Sequence, residues 1–582
     1  MPEDANPFSF FQKLTNKKAL LILCGVGCIV FFNAFFGGFV LDDVGLILHD
    51  KYLQHFTPIL YFQANTYNAN GLYRPLGMFY FAVLRQVVGL EPFFYHFLSV
   101  GFHIANAYLV FLLFKRFMRP KLSLLLALAF LVHPMQVESV TYISGAAGVF
   151  CFTFGILAML IAMREKIFWR DTLLIGLFLL CSVLFKESGI QFAAMLFAYR
   201  FLFYKKSELK LWVSSIIFGL VYLVLRFAVG HAAFSNPKNI LIQQVSSSVR
   251  FSTIPAVLMY YIKTFLFPLD LLTIQNWAIL QRTTENFYLP LLFGAVFVFV
   301  LFWLWLRLRR SHRKQATGYF FFLLWFLGGI GLYLQIFPLD LTVSDRWFYF
   351  PIVGLLGMIG MWIEGNVFNK PTLKMAAASI VIFFILFYSF RTMIRNFDWI
   401  DALTLYTHDN ASHPSSALEN AIGVEYVIRK DLPSASEHFT AAYRLKPNET
   451  SSENLAHIAM YNGDIDKAKV YFNQVLQVPD PKPRVQQEAQ LDAIVGLGLI
   501  STLQESPTQS QAFILQALKR YPNSGNLWIE LASVDSVLGQ WDDALAAAKK
   551  AKELFPGDST NILYDRISRK VQVRLDSKQH LQ

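Results

Sequence analysis

The sequence predicts an all-α fold, in which a polytopic membrane helix bundle precedes a C-terminal α-solenoid. Three observations support this prediction. The 582 residues are 55% hydrophobic and the mean hydropathy is +0.43, which is too apolar for a soluble domain of this size. Apolar runs of spanning or near-spanning length recur up to residue 390. Beyond these runs, prolines recur at the period of a helical repeat.

Charge divides the chain near the end of the last apolar run. Residues 1–394 carry 32 Lys and Arg against 16 Asp and Glu, whereas residues 395–582 carry 19 against 23. We therefore predict a membrane domain at 1–394, a repeat domain at 395–570 and a polar tail at 571–582. The positive charge indicates cytoplasmic loops and excludes a nucleic-acid surface, because no basic stripe interleaved with aromatics lies outside the apolar runs.

Basic clusters lie between alternate apolar runs and predict the topology. Placing these clusters on the cytoplasmic side satisfies the positive-inside rule and predicts about 11 crossings, which start inside and end outside. The first run, 19–40, is long enough to span and has no small-residue cleavage site, so we expect a retained anchor. Residues 251–268 would break the parity and are expected to be re-entrant or packed within the bundle, and 75–90 to lie along the outer surface.

Polar residues then collect at the outer ends of several helices. Ionisable groups at membrane depth are costly, so they are functional-site hypotheses by default. The alternative for the first pair is a soluble loop that begins with two acids by chance. The residues concerned are Asp42 and Asp43, His133 and Glu138, Lys186 and Glu187, and Asp345 and Arg346. Their convergence on one membrane face indicates an intramembrane active site that opens outward.

The C-terminal part has the spacing of tetratricopeptide (TPR) repeats. The prolines stand at 414, 447, 481, 522 and 556, which are 33, 34, 41 and 34 residues apart. Small residues such as Ala435 and Ala544 stand where two antiparallel helices must approach closely. About four units are present, enough to stack a continuous core. This pattern determines the fold and says little about a ligand, although a concave peptide-binding groove is its usual use.

Six ordered blocks carry a family resemblance, and the repeats follow them. The blocks are FVLDD (39–43), YRPL (73–76), HPMQVESVTYI (133–143), FKESG (185–189), YYIKTFLFPLDL (260–271) and SDRWFYFP (344–351). With them the chain resembles, over about 30–570, the transmembrane and TPR-repeat-containing (TMTC) protein O-mannosyltransferases and their bacterial relatives, which have the GT-C glycosyltransferase fold. The chain departs from the family in having few repeats, in SGAAGV (144–149) and in Asp345–Arg346, which replaces a more usual Glu–Arg pair.

The resemblance implies transfer of a sugar, mannose in the family, from a polyprenyl-phosphate carrier to a protein hydroxyl, with inversion. Asp42 or Asp43 would be the general base, and Asp42 is favoured by analogy. Arg74, Lys186 and Arg346 would bind the phosphate.

The remaining site residues have alternative interpretations. Glu187 and Asp345 are assigned to the substrate site beside Lys186 and Arg346. As an alternative, Lys186 and Glu187 could simply neutralise one another at a helix end. His133 could bind phosphate or sugar, or be satisfied by the backbone. Glu138 is a candidate for a sugar hydroxyl.

No cofactor and no metal are expected. His96 and His103 lie seven residues apart without a nearby carboxylate, so we interpret them as packing. The expected partners are the lipid-linked sugar, membrane lipids and a protein or peptide acceptor that binds the repeats. Two other functions stay open: the same chemistry on a glycan or lipid of the cell envelope, and a non-enzymatic TPR scaffold. The expected location is a bacterial inner membrane with periplasmic repeats, with an ER membrane and lumenal repeats as the alternative.

Overall fold

The structure, a computed structural model, describes residues 14–63, 71–204, 209–232, 240–366, 371–477, 484–504, 506–555 and 557–579. These residues form helices and no strand, which confirms the predicted all-α class. The chain divides into two compact units, Met1–Ser412 and His413–Gln582. The division follows the helix Ala402–Ser412, later in the chain than 394, because Asp409 of that helix bonds to Thr273 of the first unit.

The first unit contains the apolar helices and their connecting turns. Several of these helices begin with proline, whose missing N–H costs nothing in the first helical turn. The main helices are Asn16–Val30, Pro75–Val88, Pro92–Phe114, Pro120–Leu131, Ala146–Ala162, Trp169–Phe185, Ile190–Tyr204, Leu209–Val224, Ser247–Leu266, Leu289–Ser311, Arg313–Gly331, Pro351–Asn366, Pro371–Asp398 and Ala402–Ser412. Shorter ones are Pro58–Gln63, Val137–Val140 and Leu241–Gln244.

Among the described residues, five helical segments are long and apolar enough to cross a membrane, so the chain is a multi-pass membrane protein. They are Pro92–Phe114, Ile143–Ala162, Leu209–Val229, Thr284–Ser311 and Met375–Asp398. A sixth span results if Pro120–Leu131 and Pro134–Val140, which meet at 54°, are counted as one. The other predicted runs form shorter or less apolar helices, so the number of about 11 crossings stays a prediction, as do the placements of 75–90 and 251–268.

Burial separates central from peripheral spans. Ile143–Ala162 is 72% buried inside the protein, whereas Leu209–Val229 and Thr284–Ser311 are each only 11% buried. An apolar helix that is exposed on most of its surface needs lipid around it. Ile143–Ala162 therefore belongs to the centre of the bundle, beside the turns that carry the candidate site.

Glycines allow two central helices to approach closely and thereby position the turn at 345–349. A Cβ on Gly354 would lie 2.5 Å from the backbone nitrogen of Phe326, and one on Gly357 would lie 2.2 Å from the ring of Phe322. The fully buried Trp325 donates its indole N–H to the carbonyl of Phe350 at 2.9 Å. These contacts fix the start of Pro351–Asn366 and the polar turn that precedes it.

The second unit is a stack of antiparallel helix pairs, which confirms the predicted solenoid. The pairs are Ser416–Ile428 with Leu432–Leu445, Glu449–Tyr461 with Ile465–Leu476, Arg484–Gln504 with Pro507–Arg520, and Gly525–Val537 with Trp541–Leu554, followed by Asp558–Gln579. The predicted small positions Ala435 and Ala544 are fully buried. A Cβ on Gly423 would meet the ring of Phe439 at 2.4 Å, so the first pair also depends on a small residue. Pro481 and Pro556 lie outside the described residues.

Candidate active site

The adjacent acids Asp42 and Asp43 have different surroundings. Asp43 is fully buried, and one oxygen of its carboxylate accepts the backbone N–H of Val40 at 3.1 Å. The other accepts both the backbone N–H of Ser144, at 2.7 Å, and the Ser144 hydroxyl. Burial raises the pKa of Asp43 to about 7. Asp42 is exposed, so the two carboxylates have different roles, in which Asp43 holds the turn together and Asp42 faces outward.

The turn before these acids is strained. Leu41 has a φ of 53°, in the left-handed region that residues with a side chain rarely adopt. Strain of this kind persists only where the surrounding contacts impose it, and it is common at functional sites. The hydrogen bonds of Asp43 to Val40 and Ser144 are the contacts that impose it here.

Asp42 lies beside Tyr142 and Arg346. Burial raises the pKa of Tyr142 well above its ordinary value, and the neighbouring carboxylates of Asp42 and Asp43 raise it further. The guanidinium carbon of Arg346 lies 5.8 Å from the centre of the Tyr142 ring. One exposed carboxylate, one buried phenol and one guanidinium therefore form a single group.

Glu138 holds Arg346 in place. The Glu138 side chain is buried, and its Oε1 accepts Arg346 Nη1 at 2.6 Å and the Ser344 hydroxyl at 2.8 Å. Its Oε2 accepts the backbone N–H of Arg346 at 2.9 Å. Burial would lower the pKa of Arg346, but Glu138 and the other acidic groups near it together outweigh this effect, and the pKa is raised. Glu138 thus supports Arg346, and its contact with a sugar hydroxyl stays a prediction.

Asp345 and its neighbour Arg346 have different partners. Asp345 is buried, and its Oδ1 accepts the hydroxyl of Tyr260 at 2.7 Å. Burial and, to a smaller extent, the nearby Glu138 carboxylate raise its pKa to about 8. The ion pair of this turn is Glu138–Arg346, so a substrate contact by Asp345 stays a prediction.

Three cations come together in the first unit: Arg74, Lys186 and Arg346, which we call the cation cluster. Glu187 pairs with Arg74 through Oε2 and Nε at 3.0 Å and accepts the backbone N–H of Tyr73 at 2.8 Å. This arrangement disfavours the alternative interpretation, in which Glu187 neutralises Lys186. Within the described part of the chain, the Lys186 ammonium makes no hydrogen bond or ion pair.

The pKa of Lys186 reflects repulsion between these cations. Burial lowers the pKa of Lys186 the most, and the positive charges of Arg74 and Arg346 add to this effect, so the pKa is about 8. The cluster therefore has an excess of positive charge at Lys186, where an anion would be stabilised. Chemically, an exposed carboxylate beside an anion site suits displacement of an anionic leaving group by a deprotonated nucleophile.

His133 is placed away from free solvent. It is fully buried, its Nε2 lies 3.0 Å from the carbonyl of Phe265, and its Nδ1 accepts the N–H of Met135 at 3.3 Å. The backbone-satisfied interpretation describes this geometry, and a phosphate or sugar contact stays a prediction. His96 and His103 are also buried against carbonyls, of Gly37 and Leu131 respectively. Among the residues the structure describes, no group of three or more His, Cys, Asp or Glu is arranged to hold a metal.

Sequence reasoning did not single out Tyr142, or a buried network around Arg395. Arg395 lies 3.1 Å from Asp398 and 3.3 Å from Asp409, and Asp409 also accepts the backbone N–H of Thr273 at 2.7 Å. The spacing of three residues between Arg395 and Asp398 at a helix end was an available signal. The Asp409 partner lies on another helix and had no local signal.

Comparison with known proteins supports one family. No family model matches the chain. The chain is similar to human Protein O-mannosyl-transferase TMTC3, at 24% identity over 93% of the chain and 68% of that protein. For mouse TMTC3 the identity is 23% over 75% of the chain and 52% of that protein. For mouse TMTC1 the identity is 30%, and the match covers 30% of the chain and 21% of that protein. The homologues found for this chain are therefore the TMTC protein O-mannosyl-transferases, which confirms the resemblance carried by its six sequence blocks.

Proposed function

We propose that the chain is a membrane glycosyltransferase of the inverting GT-C type. It moves a sugar from a polyprenyl-phosphate carrier to a protein hydroxyl, and the names of its homologues suggest mannose. The observation that carries the proposal is the position of exposed Asp42 beside Arg346 of the cation cluster. A general base next to an anion site is the pair of groups that this transfer needs.

In the proposed reaction, an acceptor hydroxyl attacks the anomeric carbon of the donor and gives its proton to the Asp42 carboxylate. The new carbon–oxygen bond forms as the bond to the phosphate oxygen breaks, and that oxygen leaves with the electron pair. Attack from the side opposite the phosphate inverts the anomeric centre. Asp43 touches neither reactant in this scheme; it positions Asp42 through its bonds to Val40 and Ser144.

The three cations of the cluster differ in their ion pairs and therefore have different roles. Arg74 and Arg346 are oriented by Glu187 and Glu138, so each presents its remaining N–H groups in a fixed direction. Lys186 supplies a positive charge that makes no ion pair with any of the described residues. Together they stabilise the negative charge that develops on the departing phosphate.

The two domains and the compartment are also part of the proposal. We assign the transfer to the membrane domain, 1–394, and acceptor binding to the repeats, 395–570, on the non-cytoplasmic side. The positive-inside pattern and the net negative charge of residues 395–582 support this sidedness. We propose a bacterial inner membrane, with an ER membrane as the alternative, and transfer without a metal.

A transfer assay with purified full-length protein tests the proposal. The protein is incubated with polyprenyl-phosphate [14C]mannose and either an unfolded Ser/Thr-rich protein or a glycan and lipid extract of the cell envelope. Wild-type protein and Glu91→Gln, which removes an exposed carboxylate at another helix end, should label the protein acceptor. Asp42→Asn should not.

Other results would contradict the proposal. Label in the glycan or lipid fraction alone would establish the second candidate function. Full transfer by Asp42→Asn would remove Asp42 as the base. If no acceptor is labelled and Asp42→Asn keeps the biological role of the protein, the non-enzymatic scaffold would be the remaining function.

A further inference from the structure

A groove in the second unit takes no part in the reaction described above. It follows the helix Leu432–Leu445 and also reaches Asn462, the residue after the helix Glu449–Tyr461. Its volume is about 520 Å³, within the range of about 300–1,000 Å³ that is typical of ligand sites. We call it the Leu432–Leu445 groove. All of its lining residues belong to the second unit.

The groove uses a face of this helix that is not part of the repeat core. The core face consists of Ala435, Phe439 and Ala442, which are buried and recur every three or four positions. The groove is lined by a second stripe of the same helix, at Pro433, Ser436, Glu437, Thr440 and Arg444. The side chains of this second stripe are therefore available to a ligand.

Five polar side chains of the groove have no partner within the part of the chain that the structure describes. Other charged side chains of the same helix pair do have partners: Glu425 lies 2.8 Å from Arg429, and Glu419 lies 2.7 Å from His438. A few convergent polar groups that the fold does not use are characteristic of a binding site. The five residues are Ser436, Glu437, Thr440, Arg444 and Asn462.

Opposite charges stand at the two ends of this set. Glu437 and Arg444 are seven positions apart on one helix, which separates them by about 10 Å along the helix axis and keeps them on the same face. Pairs on a helix form between residues three or four positions apart, so these two do not neutralise one another. A ligand that matches both must carry a positive and a negative group at a similar separation.

A polypeptide in the polyproline II conformation has this separation. Its side chains return to the same face every three residues, after about 9 Å. It has no internal hydrogen bonds, so its backbone N–H and C=O groups can bond to the side chains of Ser436, Thr440 and Asn462. An α-helical partner with charges seven positions apart would match the charges but not these three side chains, because its backbone groups are already bonded.

We propose that the Leu432–Leu445 groove binds an unfolded segment of a protein that carries a basic and an acidic residue three positions apart. The basic residue pairs with Glu437 and the acidic residue with Arg444. Ser436, Thr440 and Asn462 bond to the backbone between them. The binding stands on the groove alone, whereas the identity of this protein as the acceptor rests on the proposed function.

Fluorescence anisotropy with purified full-length protein and short capped peptides tests the binding. The peptides consist of Ser, Thr and Pro and carry Lys-x-x-Glu, adjacent Lys-Glu, Lys-x-x-Lys or Glu-x-x-Glu. We expect Lys-x-x-Glu to bind roughly fivefold more tightly than the other three, because exposed ion pairs have modest strength. The preference should decrease as salt is added.

Reversal of either charge should change which peptide is preferred. Arg444→Glu makes both ends negative and should select Lys-x-x-Lys, whereas Glu437→Lys makes both ends positive and should select Glu-x-x-Glu. Both residues are exposed, so both variants should fold. Lys549→Glu is the matched control, because it also reverses an exposed cation on the second helix of a pair, Trp541–Leu554. It should keep the preference for Lys-x-x-Glu.

Three results would overturn the peptide site. These are equal binding of the four peptides, a preference that neither charge reversal changes, and tighter binding of a helical peptide with charges seven positions apart. A change of oligomeric state in Arg444→Glu, without peptide binding, would instead assign the groove to a second copy of the chain.

The transfer assay separates this inference from the proposed function. A protein acceptor that contains Lys-x-x-Glu should have a lower KM than the same acceptor with the two charges adjacent, and Arg444→Glu should remove the difference. Equal KM values would overturn the assignment of the segment to the acceptor. Peptide binding without any label transfer would support the groove and contradict the transferase, and label transfer without peptide binding would do the reverse.

Discussion

Asp42 and Asp43 are neighbours in sequence, and we expect opposite phenotypes from their substitution. Asp42→Asn should abolish transfer and leave the fold intact, because the Asp42 carboxylate is exposed. Asp43→Asn should mainly destabilise the fold, because its buried carboxylate accepts three hydrogen bonds from Val40 and Ser144. Both substitutions replace a carboxyl group by an amide of the same size, so they control for one another.

The magnitudes follow from the contacts. Loss of a general base lowers the rate by about 10²- to 10⁴-fold, which corresponds to roughly 3–5 kcal/mol of the activation barrier. For Asp43→Asn, either orientation of the amide places its NH2 group against a backbone N–H donor, that of Val40 or that of Ser144. A buried group left unsatisfied costs about 1–3 kcal/mol, and more when a charge is involved, so we expect a loss of about 2–4 kcal/mol in the free energy of unfolding.

Asp43 also predicts a pH dependence of stability. Its pKa is raised from 3.8 to about 7 in the folded protein, so between these values the folded state holds a proton that the unfolded state has lost. The contribution of Asp43 to the free energy of unfolding therefore falls as pH rises from about 4 to 7. Asp43→Asn should remove this part of the pH profile.

Initial rates of [14C]mannose transfer and thermal unfolding of the purified protein measure these effects side by side. We predict a stable, inactive Asp42→Asn and a less stable Asp43→Asn that retains part of its activity below its unfolding temperature, because Asp43 positions Asp42 without touching a reactant. A stable and inactive Asp43→Asn together with an active Asp42→Asn would refute the assignment of both carboxylates.

Four further predictions concern the cations, the metal and the topology. The pKa of about 8 at Lys186 predicts that kcat/KM for the donor falls as pH rises through about 8, and Lys186→Arg should move this fall to higher pH. Glu138→Ala should cost about 3–5 kcal/mol in the free energy of unfolding, measured by thermal denaturation, because it leaves Arg346 without its buried partner. An equally stable variant would contradict the support of Arg346 by Glu138. Transfer should continue in EDTA, and loss of transfer restored by a divalent cation would contradict the metal-free scheme. A cysteine at the exposed Tyr461 should react with an impermeant maleimide only from the non-cytoplasmic side.

Periodic patterns and short sequence blocks were sufficient to predict the fold class. The apolar runs and the proline spacing indicated the all-α class and the helical solenoid, because both patterns are local and repeat many times. The same patterns placed the polar pairs at helix ends. Helix geometry was less accessible: Pro120–Leu131 and Pro134–Val140 meet at a bend of 54°, which an average over hydropathy does not show.

The partners of the site residues were beyond the reach of a single sequence. Glu187 follows Lys186 directly, yet it pairs with Arg74, which lies 113 positions away. Glu138 and Arg346 are 208 positions apart. Such pairs depend on tertiary packing and leave no local signal.

The difference between Asp42 and Asp43 also required the structure. It depends on the left-handed backbone of Leu41 and on donors supplied by Ser144, 101 residues after Asp43. The sequence could show that two acids stand together at a helix end, and it could not show which of them is buried.

The most direct test of the central claim is an electron cryo-microscopy structure of the full-length protein with bound polyprenyl-phosphate mannose. We predict phosphate density in contact with Lys186 and Arg346, and an anomeric carbon that faces the Asp42 carboxylate across a space for the acceptor hydroxyl. A donor phosphate bound elsewhere, with Asp42 directed into bulk solvent away from the sugar, would contradict this claim.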